Sequence, residues 1–382
     1  MTDARADEWL DRVRDFAERR VRPAAAAWSL GEGPTRDLFD EAGRLGLFGV
    51  EVPTAFGGGG FGFVAKAHAS DVLAAADFGF AMSVVNTHNV ALRLAISAPD
   101  RIRDRYLPGL LAGGMSACTA LTEPGAGSDL AAIATTARRS DGGWVLDGEK
   151  TWIINGRHAG LAIVFAQTDP AARLRGLGAF LVDLTADGVS RYAIDSEFSQ
   201  TSMGTGGFVL TSVRVSEDCL ILPPGTAFRT ILEEINGARA YVASMCCGML
   251  RAALEAVAAY GHERTMFGRK LSDHPAWRQV QAEAETALAA VRALTAEVVS
   301  LIDRGEDARL AAAQAKIAAV EAGQRHLPAL LHAMGAEGLH PRHCLARHLA
   351  AVQSAALTDG ANALLKQQVA KLARPTLPQT GA

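Results

Sequence analysis

The sequence predicts a mainly α-helical protein with a small β domain in its middle. Apolar residues recur every three or four positions over residues 1 to about 118 and again from about 226 to the end, the period at which side chains share one face of a helix. Between them, residues 119 to about 222 hold the short runs WVLDGEKTWII, AIVFAQT, GAFLVDL and FVLTSVRV, β-branched or aromatic and bounded by Gly, Asp or Pro. That is the composition of strands separated by turns. With 382 residues, the chain can bury a large core and divide into two or three domains.

In the first domain, 1–118, Trp9, Val13, Phe16 and Val21 mark one face of an opening helical run, with Pro23 near its end. The GGGG at 57–60 breaks the helical pattern and marks a loop. The second domain, 119–225, is the β domain. In the third, 226–382, Val280, Ala284, Leu288, Val291, Leu294, Val298 and Leu301 spell out a long helix. A turn at DRGED (303–307) leads into another helical run, which Pro328 is expected to kink or end, and two further helices close the chain. Helices of this number and length predict a bundle.

The net charge of −3 provides no broad field to attract nucleic acid or an anionic membrane. No apolar run reads as long enough to span a bilayer, and the charged start MTDARADEWLDR lacks the apolar core of a signal peptide. The expectation is a cytoplasmic protein without a nucleic-acid or membrane partner. Cys118, Cys219, Cys246, Cys247 and Cys344 form an odd set with neither metal-ligand spacing nor a disulfide framework. Cys246 and Cys247 lie in an apolar run and read as helix-packing residues. His340 and His343, beside Cys344, have no fourth ligand at a usual interval, so no metal site is expected.

Two segments carry chemistry: LTEPGAGSD at 121–129 and DGEKTWIING at 147–156. Gly125, Ala126 and Gly127 let the backbone approach a ligand closely, Thr122 and Ser128 can hydrogen-bond its polar edge, and Trp152 offers an apolar face for stacking. Together they suit a flat ring; an ordinary turn followed by a core Trp is the competing reading. Near the carboxyl end, Thr358 or Asp359 ahead of Ala363, Leu364, Leu365 and Val369 also has the pattern of a helix N-cap.

Taken with GLFGVEVPTAFGGGG at 46–60, ERTMFG at 263–268, MGAEG at 334–338 and TDGANALL at 358–365, these segments make the chain resemble the acyl-CoA dehydrogenase family of flavoenzymes almost end to end. The resemblance implies an N-terminal helical domain, a small β-barrel domain and a C-terminal four-helix bundle. It implies FAD as cofactor and an acyl thioester, on coenzyme A or an acyl carrier protein, as substrate. An electron-transferring flavoprotein or similar acceptor is the implied partner, in a homodimer or homotetramer whose subunits share each flavin site. In this family a carboxylate removes the α-proton while the β-hydrogen leaves as hydride to flavin N5.

Carried over by position, that base is Asp359, where most members have Glu, and its backbone N–H is one donor to the thioester oxygen. The alternative base position, just before Arg239, is Ala238. The implied cofactor residues are Thr119, Leu121, Thr122, Ser128, Trp152, Ile154 (Thr in the family), Met266 and Ala361, with Arg264 and Phe267 directed to a neighbouring subunit's flavin. Ser128, Arg239 and Gly360 are the implied substrate residues. The chain departs from the family at Pro275, His332, Gly335-Ala336 and Ala350-Ala351, where Gln, Gln, Gly-Gly and Arg-Asp are usual. Losing one methylene withdraws the base by about 1.5 Å, and a misplacement near 1 Å can cost on the order of a hundredfold in rate. Asp also occupies this position in nitroalkane oxidases of the same superfamily. The expectation is therefore an FAD-dependent α,β-dehydrogenase in a specialised biosynthetic pathway. An oxidase of another carbon acid and a non-catalytic subunit of a hetero-oligomeric dehydrogenase stand as alternatives.

Overall fold

The computed structural model describes residues 4–28, 31–196 and 200–373. Its first helix, α1 (Ala4–Phe16), buries Trp9, Leu10, Val13 and Phe16. The helical run does not stop near Pro23. Residues Ala17–Val21 widen into a π turn, with the Arg22 N–H reaching Ala17 O, and α2 (Arg22–Trp28) continues the run. Pro23 is tolerated because it falls in the first turn of α2, where fewer N–H groups have intrahelical partners. α3 (Arg36–Arg44), α4 (Phe63–Ala76), α5 (Phe78–Ser97) and α6 (Asp100–Leu111) complete the first layer. The Asp77 carboxylate caps α5 by accepting the Phe80 N–H. In the glycine loop, a Cβ on Gly58 would stand 2.1 Å from Val52 O, so the close passage of the chain requires glycine there.

The β domain comprises β1 (Ala117–Ala120), β2 (Thr136–Ser140), β3 (Gly143–Ile153), β4 (Leu161–Gln167), β5 (Leu177–Asp183), β6 (Val189–Ala193), β7 (Gly206–Ser216) and β8 (Leu220–Leu222). They form one sheet in the order β6-β7-β3-β2-β4-β5-β8, with β1 beside β4. The four runs recognised in the sequence are β3, β4, β5 and β7. β4 is buried throughout: Leu161, Ile163 and Phe165 point into one apolar cluster, and Ala162, Val164 and Ala166 into another, the alternation expected of a strand with both faces covered.

The remaining chain is helical: α7 (Ala227–Glu263), a hairpin of β9 (Thr265–Met266) and β10 (Arg269–Lys270), α8 (Pro275–Asp303), α9 (Arg309–Ala333), α10 (Leu345–Leu357) and α11 (Asn362–Leu372). Contrary to the sequence expectation, α7 is long and apolar enough to cross a membrane by length and composition, but 72% of its apolar window is buried within the protein. It is the central helix, packed against α4, α8 and α9. On α8, Ala284, Leu288, Val291 and Val298 are buried as expected, whereas Leu294 is exposed. α9 does not end at Pro328 but runs on to Ala333, because Leu327, Leu330 and Leu331 on either side are buried and hold the last turn in place. One core joins the first helical layer to the bundle, and a second packs α5, α6 and the start of α7 against one face of the sheet. The five cysteines are free.

Candidate active site

The loop at 121–129 is held to β3 by a buried ion pair that the sequence did not single out. Lys150 Nζ lies 2.7 Å from Glu123 Oε1 and donates to Leu121 O at 3.1 Å. The Glu123 carboxylate also accepts the N–H groups of Ala134 (2.7 Å) and Thr135 (3.1 Å). Burial lowers the Lys150 ammonium to about 8 while Glu123 opposes the fall. Burial pushes Glu123 up, but the Lys150 charge and the hydrogen bonds outweigh it and hold the carboxyl below its usual range. Glu123 and Ala126 exchange two backbone bonds of 2.8 and 3.1 Å, closing the turn, and Thr151 N–H donates to Thr122 O at 3.0 Å. The loop and the strand carrying Trp152 are therefore one unit. No sequence signal marked Lys150, whose neighbours Glu149 and Thr151 are polar.

Trp152 stands at a register shift between β3 and β7, falling between Lys150 and Ile153, with φ +55. The irregularity turns its indole out of the sheet, and the residue is 60% exposed. A core Trp, the competing reading, is thus ruled out. Asn155, also left-handed at φ +64, anchors the turn that follows: its Nδ2 donates to Ser83 O and Ala117 O (each 2.9 Å), and its Oδ1 accepts from Ser83 Oγ (2.6 Å). Ile154 packs against the helical core and Leu121 against the cluster beneath the sheet. Thr119 and Thr122 are half-buried and Ser128 is exposed. A Cβ on Gly125 or Gly127 would meet nothing within 4 Å. An outward indole beside an open, anchored loop fits a flat, polar-edged ring such as a flavin.

Asp359 occupies the corner between α10 and α11. Thr358 ends α10, its Oγ1 donating back to Ser354 O at 2.9 Å. Asp359 (φ +54) and Gly360 (φ +101) are left-handed, and α11 starts from Ala361 with no side-chain cap. The N-cap reading of Thr358 or Asp359 is thus overturned. Arg239 Nε donates to Asp359 O at 3.1 Å, and its NH1 to Asn236 Oδ1 at 3.0 Å. The half-buried Asp359 has one carboxyl oxygen, Oδ2, sealed from solvent with no hydrogen-bond partner. Burial raises this carboxyl to about 6, with the Lys316 and Arg239 charges opposing. An unpaired carboxyl poised near neutrality has the properties of a general base. Ala238, at the alternative base position, is buried and apolar.

The third group of residues lies elsewhere. Arg264 caps the far end of α7, while Met266 and Phe267 sit on the hairpin beyond it, Phe267 at 89% exposure. At 1.5 Å per residue, Arg264 is about 37 Å along the helix from Arg239. A single chain thus brings Thr122 to Trp152, and Arg239 to Asp359 and Gly360, but leaves Arg264, Met266 and Phe267 remote from that corner. Of the departures from the family pattern, Pro275 is the first residue of α8 and Ala351 is buried in the packing of α10.

Comparison with known proteins agrees with this arrangement. The acyl-CoA dehydrogenase N-terminal domain matches residues 3–114, the middle domain 118–213 and the C-terminal domain 225–373. The mitochondrial short-chain specific acyl-CoA dehydrogenase of Homo sapiens is 32% identical over 320 residues, covering 82% of this chain and 76% of its own length. The caffeyl-CoA reductase-Etf complex subunit CarC of Acetobacterium woodii is 28% identical over 317 residues, 81% of this chain and 82% of its own. The structure of a glutaryl-CoA dehydrogenase from Mycobacterium smegmatis in complex with FADH2 superimposes with a TM-score of 0.90 at 26% identity, covering 97% of this chain and 95% of that one. The chain belongs to the acyl-CoA dehydrogenase family, oxidoreductases acting on CH–CH donors.

Proposed function

We propose that the protein is an FAD-dependent α,β-dehydrogenase of an acyl thioester in which Asp359 is the base. The observation that carries this reading is the sealed, unpartnered carboxyl oxygen of Asp359. FAD, when bound, supplies the acceptor for the β-hydride. Trp152 would stack on the ring, and Thr119, Leu121, Thr122, Ser128, Ile154 and Ala361 would help to hold it. The carboxylate of Asp359 takes the α-proton, and its backbone N–H holds the thioester oxygen as charge develops there. Ser128, Arg239 and Gly360 line the substrate side, Arg239 by fixing the Asp359 carbonyl.

Arg264, Met266 and Phe267 serve the flavin of a second copy, because their own corner is out of reach. CarC is named as part of a complex with an electron-transferring flavoprotein, which supports such a protein as the electron acceptor here. The substrate's carrier is coenzyme A or a carrier protein, and the pathway a specialised biosynthetic one.

The test is anaerobic titration of the purified yellow protein with a panel of acyl thioesters, reading oxidised-flavin absorbance. A suitable thioester bleaches the flavin. Asp359→Ala retains flavin but reduces it at least a hundredfold more slowly, whereas Asp359→Glu raises the rate if reach is limiting. Reduction of the Ala variant at the normal rate would remove Asp359 from the mechanism. Because Asp replaces the family's Glu, a carbon-acid oxidase is the second reading; oxygen uptake with peroxide release identifies it.

A further inference from the structure

A second cation grips the corner that carries Asp359. Lys316, on α9, is fully buried, and its Nζ donates to Gly360 O at 2.7 Å and more distantly to Ala356 O at 3.5 Å. A buried ammonium is strongly unfavourable unless it has specific work for its charge. Among the described residues Lys316 forms no direct ion pair; its hydrogen bonds go to two carbonyls of the α10–α11 corner, and Asp359 is the carboxylate whose charge supports it. With Arg239 on the Asp359 carbonyl, the corner is clamped at three carbonyls, those of Ala356, Asp359 and Gly360, while the carboxyl oxygen Oδ2 is left without a partner. Packing alone demands none of this, since Met fills a similar volume without a charge.

We propose that Lys316 is a positioning residue for proton abstraction: it fixes the left-handed corner through the Gly360 and Ala356 carbonyls and sets its positive charge near the Asp359 carboxyl. The proposal rests on Asp359 being the base. The groups that face the pair are few. α7 presents Arg239 and Tyr241 to Asp359, and Cys246 and Arg239 to Lys316. At the end of α10 the Thr358 hydroxyl is engaged with Ser354 O, and on α11 Lys366 is engaged with Glu321 of α9. Burial lowers the Lys316 ammonium to about 8 while Asp359 opposes the fall. Flavin reduction in the wild type therefore rises as Asp359 ionises around pH 6, and declines as Lys316 loses its proton around pH 8 because the neutral amine holds the Gly360 and Ala356 carbonyls more weakly and the corner loosens.

The experiment measures anaerobic flavin reduction in the holoenzyme, with a thioester that bleaches it, from about pH 5 to about pH 10. Lys316→Met is expected to move the acid limb up by about one unit or more, abolish the alkaline limb, and lower the limiting rate about tenfold or more. Lys316→Arg keeps the charge, so its acid limb stays close to wild type and its alkaline limb vanishes, because a guanidinium does not titrate in this range. A wild-type profile and rate in Lys316→Met, or persistence of the alkaline limb in Lys316→Arg, overturns the proposal; the Arg variant decides alone if the Met variant does not fold. Asp359→Asn separates the two levels. If it reduces flavin normally, the base assignment fails and this inference with it. If it is inactive while the Lys316 variants keep the wild-type profile, only the inference fails.

Discussion

Trp152 and Asp359 share a backbone state that side-chain-bearing residues seldom adopt, with φ of +55 and +54. Such conformations cost on the order of 1–3 kcal/mol and persist where the surroundings over-determine them. Here Lys150 and Thr151 pin one position, and Arg239 and Lys316 pin the other. Asp359 carries a second burden. Its folded-state value of about 6 lies above the ordinary 3.8, so between those values the folded chain binds more protons than the unfolded one. Stability therefore falls as pH rises through that window, and the ionised carboxyl remains a penalty of at most about 3 kcal/mol above it. Asp359→Asn removes the charge with little change in shape. In the flavin-free protein it is expected to raise the midpoint of thermal unfolding near neutral pH and to flatten the fall between the two values. Equal midpoints for the two proteins on both sides of that window would show that the carboxyl is not desolvated.

Between the residues and the molecule stands the unit formed by the 121–129 loop and β3, held by Lys150 and Glu123. Removing one partner of a buried pair leaves an uncompensated charge and typically costs about 3–5 kcal/mol, whereas replacing both with apolar residues is often neutral or better. Glu123→Gln is therefore expected to lower the unfolding midpoint and release flavin. The double change Glu123→Leu, Lys150→Met recovers stability but leaves flavin more weakly bound, because Leu121 O, Ala134 N–H and Thr135 N–H lose their partners. Thermal unfolding and flavin titration of the same two proteins check both halves; a double variant that binds flavin like wild type would show that the pair does not shape the loop. This element also shows what a sequence displays and what it hides. Long periodic segments such as α8, and strands rich in β-branched residues such as β4, were legible because burial sets their pattern. β2 (TARRS) and β6 (VSRYA) were not, since short strands with exposed charges leave no alternation to read. Pro23 falls where a π turn passes into α2, and Pro328 does not end α9 because tertiary packing outweighs the loss of one helical hydrogen bond. At the site, the glycine-rich loop, Trp152 and Asp359 were visible through their motifs. Glu123, Lys150, Asn155 and Lys316 were not: a lone Lys or Asn reads as solvated unless its neighbours are known to be buried, as Ala312, Ala313, Ala315 and Ala319 around Lys316 are.

At the scale of the whole molecule, the length of α7 separates two groups of candidate residues. Arg239 and Asp359 stand toward one end, and Arg264, Met266 and Phe267 about 37 Å away beyond the other. Phe267 is 89% exposed and Trp152 60%, and Leu339 (62%) ahead of α10 and Leu357 (72%) at its end expose further apolar surface. If a complete flavin site is built from the Trp152 side of one copy and the hairpin of another, two-fold symmetry makes the arrangement reciprocal, so each dimer holds two composite sites. The consequence is complementation. An Asp359→Ala protein lacks the base in every site, and an Arg264→Ala, Phe267→Ala protein lacks the hairpin contribution in every site, so each alone is inactive. In a hybrid dimer one site carries both lesions and the other carries neither. In the hybrid half of the sites are intact, so about half of wild-type activity per site returns. The check is to co-express the two differently tagged chains, isolate the doubly tagged species and measure anaerobic flavin bleaching. If each copy built its site unaided, every site in the hybrid would carry one lesion and activity would stay at the level of the two parents.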